Sequence, residues 1–226
     1  MNILILVLVS ISFFILPSLA RKWKNLPTLI AVCIAAAVNT NYYLSYNYPV
    51  YAGPFILGMD ALIGMMYVYV LIIIRLDGST KRAYDLTISA VAAIVLAGII
   101  EMCAKTAHQG GFTFETVKPL LFNLQSGFSC LLAGFVAIFI SDKLDKKNTY
   151  LNIAISCLAG SIVHSILFSL GFMITIPDIL KQENIKTYFA CFTGGLIERV
   201  LLISLGLANY WFCKSVLKLK SEKNSQ

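Results

Sequence analysis

Long apolar runs, separated by short polar segments, are the feature that most constrains what this chain can fold into. Several runs approach the roughly 18–20 residues that an α-helix needs to cross the hydrocarbon core of a bilayer. Hydrophobic residues make up 58% of the 226 residues and charged residues only 13%, whereas a soluble domain carries about 25% charged residues. The sequence therefore predicts an all-α fold, a polytopic transmembrane helical bundle.

The alternation of runs and breaks predicts seven spans. Turn-forming residues mark several of the breaks, among them the segments 45–49, 77–80 and 109–111. The predicted spans are approximately 3–20, 26–43, 55–74, 86–104, 119–141, 150–176 and 187–213. Residues 1–213 are thus expected to form a single transmembrane bundle, and residues 214–226 a short basic tail.

The distribution of basic residues predicts the orientation of the bundle. Thirteen of them fall in one set of loops and the tail: Arg21, Lys22, Lys24, Arg75, Lys81, Arg82, Lys143, Lys146, Lys147, Lys214, Lys218, Lys220 and Lys223. Four fall in the alternate loops: Lys105, Lys118, Lys181 and Lys186. The positive-inside rule then places the N-terminus outside and the C-terminus in the cytoplasm of a multi-pass plasma membrane protein, in a bacterium the inner membrane. The net charge of +7 follows this rule, so we expect membrane lipids and no nucleic acid as partners.

Five charged or imidazole groups fall inside the predicted spans: Asp60, Glu101, His164, Glu198 and Arg199. A charge in the middle of a spanning helix costs roughly 2.5–3.5 kcal/mol on insertion scales, so such groups face a bundle interior, a partner or a water-filled cavity. Counting about 1.5 Å per residue places most of the polar groups in the outer half or at the midplane, and fewer in the cytoplasmic half. We expect a polar pocket that opens outward, and its predicted substrate-binding residues are Asp60, Asn123, Gln125, His164, Glu198 and Arg199.

Each of these residues also has a simpler interpretation. Glu101 and His108 lie near the outer surface, where plain solvation explains them. Asp60 can hydrogen-bond a neighbouring helix. His164 lies in the small-residue face 160–165, which suits tight helix packing. Glu198 and Arg199 are about 100° apart on a helix, so one of them is expected to pair with another span; Asp60–Arg199 and His164–Glu198 are candidate pairs.

Small residues and cysteines are expected to serve packing rather than chemistry. Ala133–Gly134 in the fifth span favours a close approach of helices, and Gly194–Gly195 is a weak point of the seventh. None of the six cysteines shows a CxxC or other metal-ligand spacing. We therefore expect no metal site, no disulfide framework and no bound cofactor.

Short motifs give the chain a resemblance to the VUT family, the queuosine-precursor or vitamin-uptake-like transporters. The segment 54–60, Pro-Phe-Ile-Leu-Gly-Met-Asp, resembles the family's Pro-Phe start that leads to a Thr-Asp pair, with Met59 in place of the Thr. The segment 141–145 is similar to the family's acidic helix end, and the segment 159–165 to a small-residue helix start. Arg199 stands where the family carries an intramembrane Lys, and His164 near an expected acidic residue. The resemblance implies uptake of a small, planar, deazapurine-like solute, with Asp60, His164 and Arg199 at matching pocket positions.

Three classes of function remain open at this stage. A transporter for a small, polar, planar solute agrees with the outward pocket; protons could drive it through Asp60, His164 and Glu198, whereas ATP coupling would need a partner because no P-loop occurs. A membrane sensor or channel subunit would work with a signalling partner, and a homo-oligomer is open in either case. An intramembrane enzyme is the least favoured, because no HExxH or GxSxG motif occurs and a Ser161/His164 dyad is the only arrangement of note.

Overall fold

The computed structural model describes residues 49–52, 55–77, 79–144, 148–175, 199–201 and 203–218, together with the single positions 15, 18, 31, 34 and 35. Within them the chain is helical apart from one short hairpin. The elements are β1 (Pro49–Ala52), β2 (Phe55–Gly58), α1 (Met59–Asp77), α2 (Thr80–Gln109), α3 (Phe114–Lys143) and α4 (Thr149–Thr175). Residues 199–201 and 203–215 are also helical, and we call them the C-terminal helical segment.

Helices α1 to α4 coincide with the third to sixth predicted spans, and the C-terminal helical segment falls in the seventh. Three stretches are long and apolar enough to cross a membrane: Thr80–Gln109, Phe114–Lys143 and Thr149–Leu167. Most of the first two predicted spans lies outside the described residues, although the single positions described there are helical. The prediction of helices that are long and apolar enough to cross a membrane is thus confirmed, while the number of seven spans and the orientation stay predictions.

The predicted start of the third span, at residue 55, is wrong, because the helix begins only after a short strand. Residues 55–58 form strand β2 rather than helix, and β2 pairs antiparallel with β1 in the register Pro49↔Gly58 to Ala52↔Phe55. A short apolar run does not by itself distinguish strand from helix, and the intervening Gly53-Pro54 has the composition of a turn. Helix α1 therefore begins at Met59, which puts Asp60 in its first turn.

The breaks between α1, α2 and α3 agree with the predicted turns. Ser79 caps α2, because its side chain accepts a hydrogen bond from the Arg82 backbone N–H. Helix α2 ends at Gly110, whose φ of 73° is the left-handed conformation that glycine adopts without strain. Thr113 and Thr116 then form a reciprocal capping box at the start of α3.

Helix α1 lies at the centre of the bundle. Every residue from Tyr67 to Arg75 is buried, so this segment is covered on all faces. Its sequence, Tyr-Val-Tyr-Val-Leu-Ile-Ile-Ile before the arginine, has no polar face, and a helix that is apolar all round is buried by its neighbours. The other helices therefore surround α1 and determine what can reach it.

Small and hydroxyl-bearing residues form the contacts among α2, α3 and α4. A methyl group added at Gly134 would lie 2.8 Å from Thr87 Cγ2, and one added at Gly160 would lie 3.0 Å from the Ala133 carbonyl oxygen. These distances confirm that both predicted small-residue faces are sites of close helix approach. In a bilayer such close packing is a main source of helix association, because lipid tails are as apolar as leucine.

Large apolar side chains cover the outward faces of the same helices. On α2, α3 and α4 they include Ile88, Leu96, Ile100, Phe128, Phe139, Leu158, Ile166 and Leu170. Their exposure agrees with a surface that meets lipid rather than water. Helices α2 to α4 thus expose large apolar side chains, and they bury small and hydroxyl-bearing residues together with a few large apolar ones.

Candidate functional site

A layer of close contacts across the middle of the bundle provides a reference level for the predicted site residues. We call it the central layer and define it by Tyr67 of α1, Gly134 of α3 and Gly160 of α4. A methyl group at Gly134 would lie 3.0 Å from the Tyr67 hydroxyl, and one at Gly160 would lie 3.3 Å from Val68 Cγ1. Gly206, in the C-terminal helical segment, contacts Tyr69 just beside this layer.

The five predicted site residues that the structure describes lie on the same side of the central layer. At about 1.5 Å per residue, His164 is about 6 Å from the level of Gly160, and Arg199 is about 10 Å from that of Gly206. By the same count Asp60 lies about 10 Å from Tyr67, and Asn123 about 16 Å from Gly134. Gln125 lies between Asn123 and the layer. Glu198 falls outside the described residues.

His164 and Arg199 interact electrostatically in the structure. Both are half-buried, and the Arg199 guanidinium is close enough to the His164 imidazole to act on it electrostatically. The candidate pairs Asp60–Arg199 and His164–Glu198 stay predictions, because the Asp60 side chain and all of Glu198 lie outside what is described.

Asn123 lies in the contact between α2 and α3. A methyl group added at Gly98 would lie only 2.7 Å from Asn123 Cβ, so the asparagine fills the space that this glycine leaves. Asn123 Nδ2 donates to the Pro119 carbonyl oxygen at 2.8 Å, and Oδ1 is buried with no hydrogen-bond partner among the described residues. Gln125 is half-buried two residues further along, and its carbonyl oxygen accepts from Ser129 Oγ. The main role of Asn123 is thus in the packing of α2 against α3, and its Oδ1 is an acceptor without a partner among the described residues.

Glu101 and His108 occupy the rim of this half of the bundle. Glu101 Oε1 lies 3.1 Å from Lys105 Nζ, one turn further along α2, an arrangement that stabilises an exposed helix modestly. His108 is exposed in the last turn of α2. Neither residue reaches the central layer. His108 fits the predicted plain solvation, whereas the Glu101 side chain is only 18% exposed and its Oε1 is buried, so solvation does not explain Glu101.

The opposite half of the bundle contains a buried polar cluster that the sequence reasoning missed. Arg75 was assigned to a loop, but α1 continues to Asp77 and the arginine side chain is only 1% exposed. Arg75 Nη2 donates to Asp142 Oδ1 at 2.9 Å, and Thr80 Oγ1 donates to the same oxygen at 3.0 Å. These bonds join α1, α2 and α3 at one point. Arg75 directly follows three isoleucines with no turn residue between them. This continuity is the sequence feature that indicates a helical arginine rather than a loop arginine.

A second set of bonds continues this cluster into α4. Asn152 Nδ2 donates to the Ser141 carbonyl oxygen at 2.8 Å, and Ser141 Oγ donates to Asn152 Oδ1 at 2.7 Å. Ser156 Oγ donates to the same amide oxygen at 3.3 Å. We call the whole set the basic-end cluster; its residues are Arg75, Thr80, Ser141, Asp142, Asn152 and Ser156. The prediction that this half is poor in interior polar groups is therefore wrong.

The C-terminal helical segment is tied to α1 by another buried network. Tyr69 Oη donates to Asn209 Oδ1 at 2.7 Å, and Asn209 Nδ2 donates to Ser18 Oγ at 2.7 Å. The Cys213 thiol lies 3.5 Å from the same serine oxygen. The network links three separate parts of the chain on the basic-end side of the central layer.

The described residues offer little for covalent or metal chemistry. Ser161 Oγ donates to the Cys157 carbonyl oxygen of its own helix at 2.7 Å, so its proton is directed to the backbone and not toward an imidazole. Within the part of the chain that the structure describes, no three His, Cys, Asp or Glu side chains gather as metal ligands. Cys103, Cys130, Cys157 and Cys213 are free thiols.

A scan of the chain against protein-family models finds no match, and searches of the curated proteins and of the solved structures find none either. The resemblance to the VUT family therefore stays a prediction.

Proposed function

We propose that this protein is an integral membrane transporter for a small, polar, planar solute. The solute binds in the half of the bundle that contains His164 and Arg199, and this pocket opens to the side opposite the basic loops. The observation that carries the proposal is the placement of two groups of residues. His164 and Arg199 lie on one side of the central layer, and the helix-to-helix bonds of the basic-end cluster lie on the other.

Side-chain hydrogen bonds differ on the two sides of the central layer in the partners that they join. At the basic end they pass from helix to helix, as in Arg75–Asp142 and Ser141–Asn152. On the other side of the central layer, Asn123 and Ser165 donate to carbonyl oxygens of their own helices. Bonds that tie the helices together at the basic end would keep that end closed, which supports access to a central pocket from the other side.

The chemistry of His164 and Arg199 supports a polar solute. A guanidinium in the membrane interior is costly and marks a ligand or ion pathway by default. Arginine offers a rigid fork of N–H donors that matches carbonyl or anionic groups of a ligand, and the neighbouring imidazole adds a donor or an acceptor. A deazapurine of the queuosine-precursor type has such groups on a planar ring, so it is the first solute to test.

Energy for uptake is proposed to come from protons. Asp60 and His164 are protonatable groups on the same side of the central layer, and such groups form proton relays in transporters. Glu198 adds a third protonatable group to the sequence next to Arg199. The positive-inside rule supports an outward orientation of this side, which in a bacterium would be the outer face of the inner membrane. An energy-coupling partner would be the alternative source.

Uptake by cells that express the protein tests the proposal. Labelled deazapurines, nucleobases and vitamins are compared in cells with the unaltered chain and in empty-vector cells. For a transported solute, we expect His164→Ala and Arg199→Ala to lower uptake about tenfold or more, because hydrogen bonds to charged groups contribute about 1.5–3 kcal/mol. Asp60→Ala should lower it as well.

Arg82→Ala is the matched control, because Arg82 is an exposed cation at the basic end. It should transport normally. Uptake at the empty-vector level for the whole panel would count against a transporter. Uptake that is insensitive to all three pocket variants would show that the solute takes another path.

A further inference from the structure

We propose that the basic-end cluster is the inner gate of the protein in its closed state, and that the Arg75–Asp142 contact must break for the pocket to open on the basic side. This inference rests on the proposed transport function and adds the element that alternates access. It follows from where the cluster ties the helices, how well its groups are satisfied and where it meets solvent.

The cluster ties the central helix to its neighbours at a single level. Arg75 lies near the end of α1, Thr80 begins α2 and Asp142 lies in the last turn of α3. One carboxylate oxygen, Asp142 Oδ1, accepts hydrogen bonds from both other residues. Loss of this one acceptor would break both hydrogen bonds and so release three helix ends together. A gate that opens in one step needs such a shared contact.

The arginine in this contact is incompletely satisfied. Arg75 Nε and Nη1 are buried and have no hydrogen-bond partner among the residues that the structure describes. A buried donor without a partner costs the closed state free energy that it recovers when water reaches it. Only Nη2 bonds the carboxylate, whereas arginine can make bidentate pairs that would hold more firmly. When the Arg75–Asp142 contact breaks, hydrogen bonds from water to the arginine can therefore offset part of the free energy that is lost.

The contact also lies at the boundary between protein and solvent. The Asp142 side chain is 49% exposed, while that of Arg75 is 1% exposed. Water that enters along Asp142 would reach the buried Nε and Nη1 of Arg75 next. The order of these groups from surface to interior provides a path for opening. An ion pair with both side chains buried would not give water this access.

Labelling of native cysteines can detect the opening. Cys157 is buried in α4, next to Ser156 of the cluster, and Cys130 is buried in α3 beyond the central layer. In two single-cysteine backgrounds, the rate of modification by a membrane-impermeant maleimide is measured in inside-out vesicles. These vesicles expose the side that the basic loops predict to be cytoplasmic.

Asp142→Asn keeps the shape of the side chain and removes its charge. We expect it to raise the labelling rate of Cys157 about fivefold or more, because labelling follows the population of the open state, and to leave the rate for Cys130 unchanged. The charge exchange Arg75→Asp with Asp142→Arg should return the Cys157 rate toward that of the unaltered chain. Glu115→Gln is the matched control: it removes an acid from the other end of α3, where Glu115 faces Lys118 at 4.0 Å, and it should change neither rate.

Two results would overturn the gate. One is an unchanged Cys157 rate in Asp142→Asn. The other is an equal rise for Cys157 and Cys130, which would mean general loosening of the bundle and a purely structural role for the pair. The labelling needs no solute, so failure of the gate is read separately from failure of the transport assay.

Discussion

Replacing Gly160 by alanine tests the packing that defines the central layer. The added methyl group would lie 3.0 Å from both the Ala133 carbonyl oxygen and Ala137 Cβ, and 3.3 Å from Val68 Cγ1. The first contact is with backbone, which cannot rotate away, so α3 and α4 would have to separate by a few tenths of an ångström. Gly127→Ala is the matched control within a helix, because its methyl group would meet Val91 Cγ1 at an ordinary 3.4 Å.

The size of the effect follows from two opposing contributions. Alanine in place of glycine inside a helix stabilises by roughly 0.5–1 kcal/mol. Overpacking a well-packed core costs about 1–3 kcal/mol. We therefore expect Gly127→Ala to raise the free energy of unfolding by roughly 0.5–1 kcal/mol and Gly160→Ala to lower it by about 0.5–2 kcal/mol.

The assay is unfolding of the purified protein in mixed micelles by titration with sodium dodecyl sulfate, followed by far-ultraviolet circular dichroism. The two variants should differ by about 1–3 kcal/mol in opposite directions from the unaltered chain. If Gly160→Ala were as stable as Gly127→Ala, the close contact between α3 and α4, and with it the central layer, would be refuted.

Two further predictions address the buried network and the orientation. Tyr69→Phe removes the hydroxyl that donates to Asn209 and should lower the free energy of unfolding by about 1 kcal/mol in the same titration; Tyr84→Phe, which keeps its half-buried ring, should change it by less than about 0.5 kcal/mol, and equal losses would contradict the role of the network. In a cysteine-free background, an impermeant maleimide should label Gly111→Cys on intact cells and Lys218→Cys only in inside-out vesicles; the reverse pattern would invert the orientation and the side to which the pocket opens.

Much of the helical framework could be predicted from the sequence, because apolar runs of membrane length leave few alternatives. The turn at Gly110 and the close approaches at Gly134 and Gly160 were also foreseeable, since glycine at such places has a direct steric meaning. Strand β2 was not foreseen, because Phe55–Gly58 continues an apolar run and has no periodicity of its own.

The arrangement of polar groups was harder to predict, because it depends on how each helix is rotated and on partners far apart in sequence. The sequence predicts Arg75 to be a cation in a loop, because its partner Asp142 is 67 residues away along the chain. The proximity of His164 to Arg199 likewise depends on the relative rotation of two helices. Depth in the membrane can be counted along a helix, whereas direction around its axis cannot.

Reconstitution tests the central claim most directly. The purified protein is placed in liposomes, and uptake of a labelled deazapurine is measured with an inwardly directed proton gradient. We predict accumulation above that of protein-free liposomes, abolished by His164→Ala and by Arg199→Ala and retained by Arg82→Ala. Uptake no greater than in protein-free liposomes, for the deazapurine and for every other solute of the panel, would contradict the account.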